Sequence, residues 1–433
     1  MINREALLGD LQRQVRALEA DLRQQVRDLP DTYARLRAEY REAFSRRRTA
    51  AAWEVWLGER VAQAAAAWAL GTVFVRFCED NGLLATPYLA GPAAERMVLA
   101  EEAHTQFFRD HPEKTDRDWL LAAFNAIAAV PAGELLFDPR HNPLYQIPLS
   151  HDAAKALIAF WRRRGEDGKL VHDFTDPDWD TRFLGDLYQD LSEQARKTYA
   201  LLQTPEFIEE FILDRTLTPA IEEFGYDQVK VIDPTCGSGH FLLGAFHRLL
   251  AEWERNAPGR DRYEHVRLAL QAVHGVDANP FAVAIARFRL LVAALRAAGC
   301  ATLAEAARSS FPLNVAIGDS LLKHRQLSFE GIGEEQADFL YATEDLDDKF
   351  PGILQPGRYH AVVGNPPYIT VKDKHQNQRY REMYDACHRQ YALSVPFAQR
   401  FFELACPADM NGRGAGYVGQ ITANSFMKRE FGK

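Results

Sequence analysis

Four short apolar runs, each followed within two residues by an aspartate or asparagine, recur about 42 to 46 residues apart in the second half of this 433-residue chain. They are residues 229–232 before Asp233, 272–276 before Asp277, 314–317 before Asp319 and 361–363 before Asn365; a fifth run, 417–421, follows. Runs of this length suit strands buried on both faces, and each gap holds one helical pattern. Repeated strand–helix–strand units build a parallel sheet, whose ligands sit at the carboxyl ends of the strands. The spacing therefore predicts an α/β domain with four polar residues converging on one rim.

The fourth run ends in Asn365-Pro366-Pro367-Tyr368. Two prolines forbid continuation as strand or helix and restrain the residues beside them, so the Asn365 amide and the Tyr368 ring are held at a set separation. Taken alone, the tetrapeptide is equally a proline turn with an aromatic plug. The first run leads into Asp233-Pro234-Thr235-Cys236-Gly237-Ser238-Gly239-His240-Phe241-Leu242 and then an amphipathic helix to about Trp253. Two glycines one residue apart let the backbone approach a ligand, and the helix start offers free N–H groups. Leu242 stands where a dinucleotide fold needs its third glycine, and no Lys-Ser/Thr follows as in a phosphate loop. An acidic strand end before such a turn suits a ligand carrying a cationic amine and a carboxylate. Asp277 stands where dinucleotide folds place the acid that binds ribose hydroxyls. Helix capping is the commoner job for any one of these aspartates, but three on successive strands exceed what capping needs.

Composition narrows the alternatives. With 47% hydrophobic and 26% charged residues, the chain is of ordinary globular type. Residues 61–77 are its most apolar stretch, yet they include Gln63 and Arg76 and fall short of the roughly 20 apolar residues of a membrane span. No apolar signal core follows Met1, so the expected location is cytoplasmic, with no membrane partner. Five scattered cysteines and thirteen histidines form no CxxC or HExxH pattern, so neither a disulfide framework nor a metal site is expected. A net charge of −9 disfavours non-specific coating of nucleic acid, while leaving room for local basic contacts.

The first 200 residues read as an all-α domain. Leu7, Leu11, Val15, Leu18, Leu22, Val26 and Leu29 form a heptad-like seam that predicts a helix docked on its own chain. A second helix, about 51–80, carries Trp53, Trp56, Trp68, Phe74 and Phe77 and stops at Asn81-Gly82. Further helical patterns cover 93–110, 116–129, 151–164 and 181–200. The basic clusters at Arg46-Arg47-Arg48 and Arg162-Arg163-Arg164 read as solvated helix faces. Residues 323–358 carry eight acidic side chains against four basic ones and read as a flexible excursion before the fourth strand. Cys236 reads as a packing residue.

Taken together, these motifs resemble the N6-adenine DNA methyltransferases, in the order shared by type I modification subunits and fused restriction-modification enzymes. More narrowly, residues 233–241, the basic run after Tyr368, residues 422–433 and the helical amino-terminal domain resemble the methyltransferases of BREX phage-defence systems. The resemblance implies a Rossmann-like S-adenosylmethionine-dependent sheet over 201–433, preceded by the all-α domain over 1–200. It assigns residues 203–208, with Thr204 and Phe207, to a segment closing over S-adenosylmethionine. Asp233, Pro234, Thr235, Gly237, Gly239 and Phe241 then form the methionine-binding loop. Asp277 with Ala278 binds ribose, and Asp319 with Ser320 reads the cofactor adenine. The catalytic group is Asn365, Pro366, Pro367 and Tyr368, and residues 416–418 through 424–426 form the fifth strand and its loop.

In the implied mechanism an adenine is extruded from the duplex, since a stacked base cannot reach the methyl donor. Tyr368 stacks on it, while the Asn365 side-chain oxygen and the Pro366 carbonyl accept from its amino group. No covalent intermediate is needed. Double-stranded DNA is the expected substrate, other defence-system proteins are candidate partners, and Lys372, Lys374, Arg379 and Arg381 are the candidate phosphate contacts. A complete fold of this kind continues with two further strands and a target-recognition region, so the sheet is expected to be incomplete at its carboxyl end and the chain to be an amino-terminal portion. Cytosine-N4 methylation, protein glutamine methylation and a non-catalytic cofactor-, DNA- or partner-binding fragment are the rival readings.

Overall fold

A computed structural model describes residues 2–191, 204–307, 311–323 and 339–423. Five strands form one sheet: β1 (Val231–Asp233), β2 (Val273–Asp277), β3 (Asn314–Ile317), β4 (Ala361–Gly364) and β5 (Tyr417–Gln420). All pairings are parallel, in the order β3-β2-β1-β4-β5. Val231 pairs with Val273 on one side and with Ala361 on the other. The chain thus winds outward from β1 to β3 and returns to lay β4 against the free side of β1. The resulting switch point lies between the ends of β1 and β4, where such sheets open a crevice.

Alternate strand residues feed two cores. Val231, Val315, Ile317, Ala361 and Val363 join one, while Ile232, Ala316 and Val362 join the other. Burial of both faces is why these strands are continuous apolar runs. Each observed strand overlaps its expected run. β1 starts two residues late, because Val229 and Lys230 belong to the approach rather than the ladder.

Helices α1 (Arg4–Asp28), α2 (Pro30–Ser45), α3 (Trp53–Asp80), α4 (Ala94–Asp110), α5 (Asp116–Ala128), α6 (His151–Trp161) and α7 (Phe183–Asp190) form the amino-terminal part. The Asn3 side chain caps α1 by accepting from the Ala6 N–H, and the seam from Leu7 to Val26 is buried, with α1 packed along α3. Of the described helices, α3 alone is long and apolar enough to cross a membrane, but 94% of its most apolar window lies inside the protein. It is the central core helix. It ends where Gly82 turns with φ +74°. α2, which starts at Pro30 with no side-chain cap, is not among the expected helices, and residues 192–200 of the last expected helix lie outside the described residues.

The chain continues through α8 (Glu206–Arg215), α9 (Leu217–Phe224), α10 (His240–Asn256), α11 (Arg262–Ala272), α12 (Pro280–Ala298), α13 (Lys374–Met383) and α14 (Ser394–Leu404). The core of the amino-terminal helices is continuous with one face of the sheet: Phe74 of α3 stacks on Phe288 of α12 at 4.2 Å.

Two expectations about charge need correction. The arginine clusters are not simply solvated faces. Arg162 donates from Nε to the Leu89 carbonyl at 2.8 Å, Arg163 pairs with Asp10, and buried Arg48 pairs with Glu344 at 2.8 Å. Nor is the acidic stretch before β4 a free excursion where it is described. Asp345, 1% exposed, pairs with buried Arg287 of α12 at 2.5 Å and accepts from the Ile317 N–H. Its acids are ligands for arginines far away in sequence; residues 324–338 lie outside the described residues.

Candidate active site

A cavity of about 890 Å³ opens over the carboxyl ends of β1 to β4. Its lining gathers Thr204, Asp233, Pro234, Thr235, Gly237, Phe241, Asp277, Ala278, Asp319 and Ser320, together with Asn365 to Tyr368. Residues from four strand ends, separated by up to about 130 positions, thus meet in one space, as the strand-end spacing requires.

The loop after β1 is shaped by its own carboxylate. Asp233 Oδ1 accepts from the Thr235 N–H at 2.8 Å and from its hydroxyl at 3.1 Å. Asp277 ties this loop to β2, accepting from the Gly237 N–H at 2.9 Å and the Asn279 N–H at 2.8 Å. Ser320 Oγ donates to the Pro234 carbonyl at 2.7 Å, adding β3 to the same frame. Gly239 takes φ +83° at the start of α10, and a Cβ there would lie 3.0 Å from that of Ala286. Gly364, just before Asn365, allows the closest approach of β4: a Cβ would stand 2.7 Å from both Asp233 Oδ1 and Thr235 Oγ1.

Acids cluster where the ends of β1 and β2 meet in this cavity. Burial pushes the Asp233 carboxyl up to about 8, and neighbouring Asp277 adds to the rise against the Thr235 hydrogen bonds. Burial likewise lifts Asp277 to about 6, opposed by the Asn279 and Gly237 donors. Asp319 is raised by burial too, offset by Arg48 and by the Tyr380 hydroxyl, which donates to it at 2.7 Å. Neither Asp233 nor Asp277 forms an ion pair among the described residues. Two acids without a cation, beside a third, favour a positively charged ligand. Cys236 is buried and its thiol is pushed well up by burial and by these acids, so it is no ready nucleophile.

At the end of β4 the Tyr368 hydroxyl donates to Asn365 Oδ1 at 2.6 Å, and Asn365 Nδ2 lies 3.4 Å from Thr204 Oγ1. Burial raises the Tyr368 phenol to about 12, so it stays a donor. The amide oxygen keeps a second lone pair for a ligand.

Not every expected residue reaches the cavity. Phe207 is 71% exposed and absent from the lining, because α8 turns that face outward. Gln203 and residues 424–433 lie outside the described residues. Lys372 and Lys374 are exposed and line the mouth. Arg379 donates to the Arg46 carbonyl at 3.5 Å, and Arg381 is turned to its own chain, donating to the Cys387 carbonyl at 3.0 Å and lying over the Tyr391 ring. Sequence reasoning missed Arg48, Thr49, Trp56, Glu59, Arg60 and Tyr341, all lining residues, and the bond from Tyr380 to Asp319. One signal was available: Glu59, Arg60 and Gln63 form a polar stripe at helical spacing on an otherwise apolar helix.

Residues 271–433 match the family model described as Eco57I restriction-modification methylase. Over its whole length the chain is 61% identical to the adenine-specific methyltransferase PglX of Streptomyces coelicolor. The chain is thus similar to an adenine-specific methyltransferase. It spans 37% of the length of that relative. The type II methyltransferase M.BstVI of Geobacillus stearothermophilus is 26% identical over 56% of this chain and 36% of its own. Among solved structures, the DrdV–DNA complex superposes with a TM-score of 0.51 at 16% identity, covering 98% of this chain and 36% of that one. The five-stranded parallel sheet and the all-helical region before it are thus a fold shared with that structure.

Proposed function

We propose that this chain carries the cofactor and catalytic centre of an S-adenosylmethionine-dependent DNA methyltransferase that acts on the N6 amino group of adenine. The observation that carries the reading is the unpaired Asp233 and Asp277 carboxylates in the same cavity as the restrained Asn365 amide. The donor set fits the cofactor: acids without partner cations suit its ammonium and sulfonium, and the strand-end acids suit its hydroxyls and amino group. When bound, S-adenosylmethionine supplies an activated methyl group on a sulfonium.

In this reading Asp233 and the loop to Gly239 hold the methionine part. Asp277 with Ala278 holds the ribose, and Asp319 with Ser320 the adenine. Asn365 Oδ1 and the Pro366 carbonyl accept the two amino protons of an extruded base, orienting its nitrogen; the gain comes from position and electrostatics. The Tyr368 ring supports the base from one face. Lys372 and Lys374 meet phosphates of double-stranded DNA at the mouth. Segment 1–200 shapes the far wall, segment 201–433 carries the chemistry, and a DNA substrate places the protein in the cytoplasm, serving restriction-modification or BREX-like phage defence with other defence proteins. Kinship to PglX and to restriction-modification methylases supports adenine in DNA over the rival substrates. Calorimetric titration with S-adenosylmethionine tests the cofactor assignment: saturable heat at micromolar ligand is expected, and no heat at millimolar ligand overturns it.

A further inference from the structure

We propose that Glu59, on α3 of the helical region, binds the adenosine portion of the cofactor by accepting a hydrogen bond from its hydroxyl or amino donors. The inference rests on the cofactor reading above and extends it to a residue outside the sheet.

The cavity has two ends. At one, Asn365, Thr204 and Tyr368 are linked, with Gly364 beside Asp233. At the other, Asp319 takes the Tyr380 hydroxyl and lies in the field of Arg48. Arg48 pairs with Glu344 and sits 5.0 Å from the Tyr341 ring centre; Arg60 lies over the same ring at 4.2 Å. Asp373 joins this end by accepting from the Thr49 hydroxyl at 3.0 Å and the Ala50 N–H at 2.6 Å. Glu59 lines the same cavity, directly before Arg60 on α3, and the charges it feels are those of Arg60 and Asp373, both of this end.

The polar groups at this end are mostly satisfied by one another: Arg48 by Glu344, Asp319 by Tyr380, Asp373 by Thr49. Glu59 is the exception. It lines the cavity and is half-buried, yet it makes no hydrogen bond or ion pair among the described residues. A carboxylate left without donors in a recess is unfavourable, and its complement must present O–H or N–H groups. Adenosine presents both, and carboxylates are the usual acceptors for ribose hydroxyls in folds of this plan.

The test uses the full chain with Glu59→Gln and Glu59→Ala, two probes, and thermal unfolding to verify that each variant is folded. S-adenosylhomocysteine carries adenosine and amino acid; 5′-methylthioadenosine carries adenosine alone. Calorimetry is expected to show both probes weakened about ten- to hundredfold by alanine, the size of one hydrogen bond to a charged group, and less by glutamine, which keeps an acceptor oxygen. Unchanged affinity for both probes overturns the proposal. So does a loss confined to S-adenosylhomocysteine, which would put Glu59 at the amino-acid end, or a loss seen only in KM for DNA, which would put it beside the target base. If the unaltered chain binds neither probe, the cofactor reading itself fails and takes this inference with it.

Discussion

The Asn365 amide is held on both sides, by the Tyr368 hydroxyl at its oxygen and by Thr204 near its nitrogen, at the end of a strand that prolines terminate. Such restraint matters because an acceptor positions an amino group only if it is already aimed. Asn365→Ala is expected to lower kcat by about a hundredfold or more while cofactor affinity stays within about threefold, a split read by kinetics and calorimetry together. Tyr368→Phe keeps the ring and removes the orienting hydroxyl, so a loss of about tenfold in kcat is expected. The cavity acids add a pH signature. Asp233 and Asp277 are raised to about 8 and about 6, above the roughly 3.9 of an unfolded aspartate. An acid raised by folding stabilises the ligand-free chain at low pH and gives that up as pH rises through the folded value. Ligand-free thermal stability should therefore fall from about pH 4, with the Asp277 part lost by about pH 6 and the Asp233 part by about pH 8. Affinity for cationic S-adenosylmethionine should tighten as pH rises through the two folded values, and that for uncharged 5′-methylthioadenosine should not. Parallel scanning calorimetry and titrations decide both. These residues are legible in sequence because a polar side chain at the end of an apolar run can point only to the rim of the sheet. For Glu59 the sequence offers only the polar stripe on its helix, and for Arg48 nothing, since which face of a helix meets a distant strand end is a tertiary fact.

Between elements, the segment joining α2 to α3 grips the loop that follows Tyr368. Asp373 caps α13 through the His375 and Gln376 N–H groups and accepts from Thr49 and Ala50 with its other oxygen, while His375 Nδ1 sits 2.9 Å from the Thr49 carbonyl. Losing that carboxylate removes a cap and a tether at once. Asp373→Ala is expected to cost about 1–2 kcal/mol of stability and to raise KM for DNA; Asp373→Asn, an equally good cap, should recover most of the stability. The stack of Phe74 on Phe288 joins α3 to the sheet's own helix. Phe74→Ala should cost about 3–5 kcal/mol in urea unfolding, with one transition for helices and sheet together if the continuous core is what unites them. Strand positions and the long helices could be read from periodicity. α2 could not, because its apolar residues are few and only Leu36 and Ala43 are buried.

Across the whole molecule, a chain of net charge −9 confines positive charge to small places, and the exposed lysines at the cavity mouth are one of them. Replacing Lys372 or Lys374 by alanine should weaken DNA binding across all sequences and lower the salt slope by about 1 per lysine, as measured by titration at several ionic strengths. The helical region is more than a neighbour to the sheet. It supplies a wall of the cavity through Arg48, Trp56, Glu59 and Arg60, so the cavity exists only when both parts are folded. The central claim is that this space transfers methyl groups to the amino nitrogen of adenine. Duplex DNA incubated with the protein and S-adenosylmethionine labelled at the methyl group, then digested to nucleosides, tests it directly. The account predicts label in N6-methyladenine, absent with Asn365→Ala; label in N4-methylcytosine, or none while the cofactor binds, would contradict it.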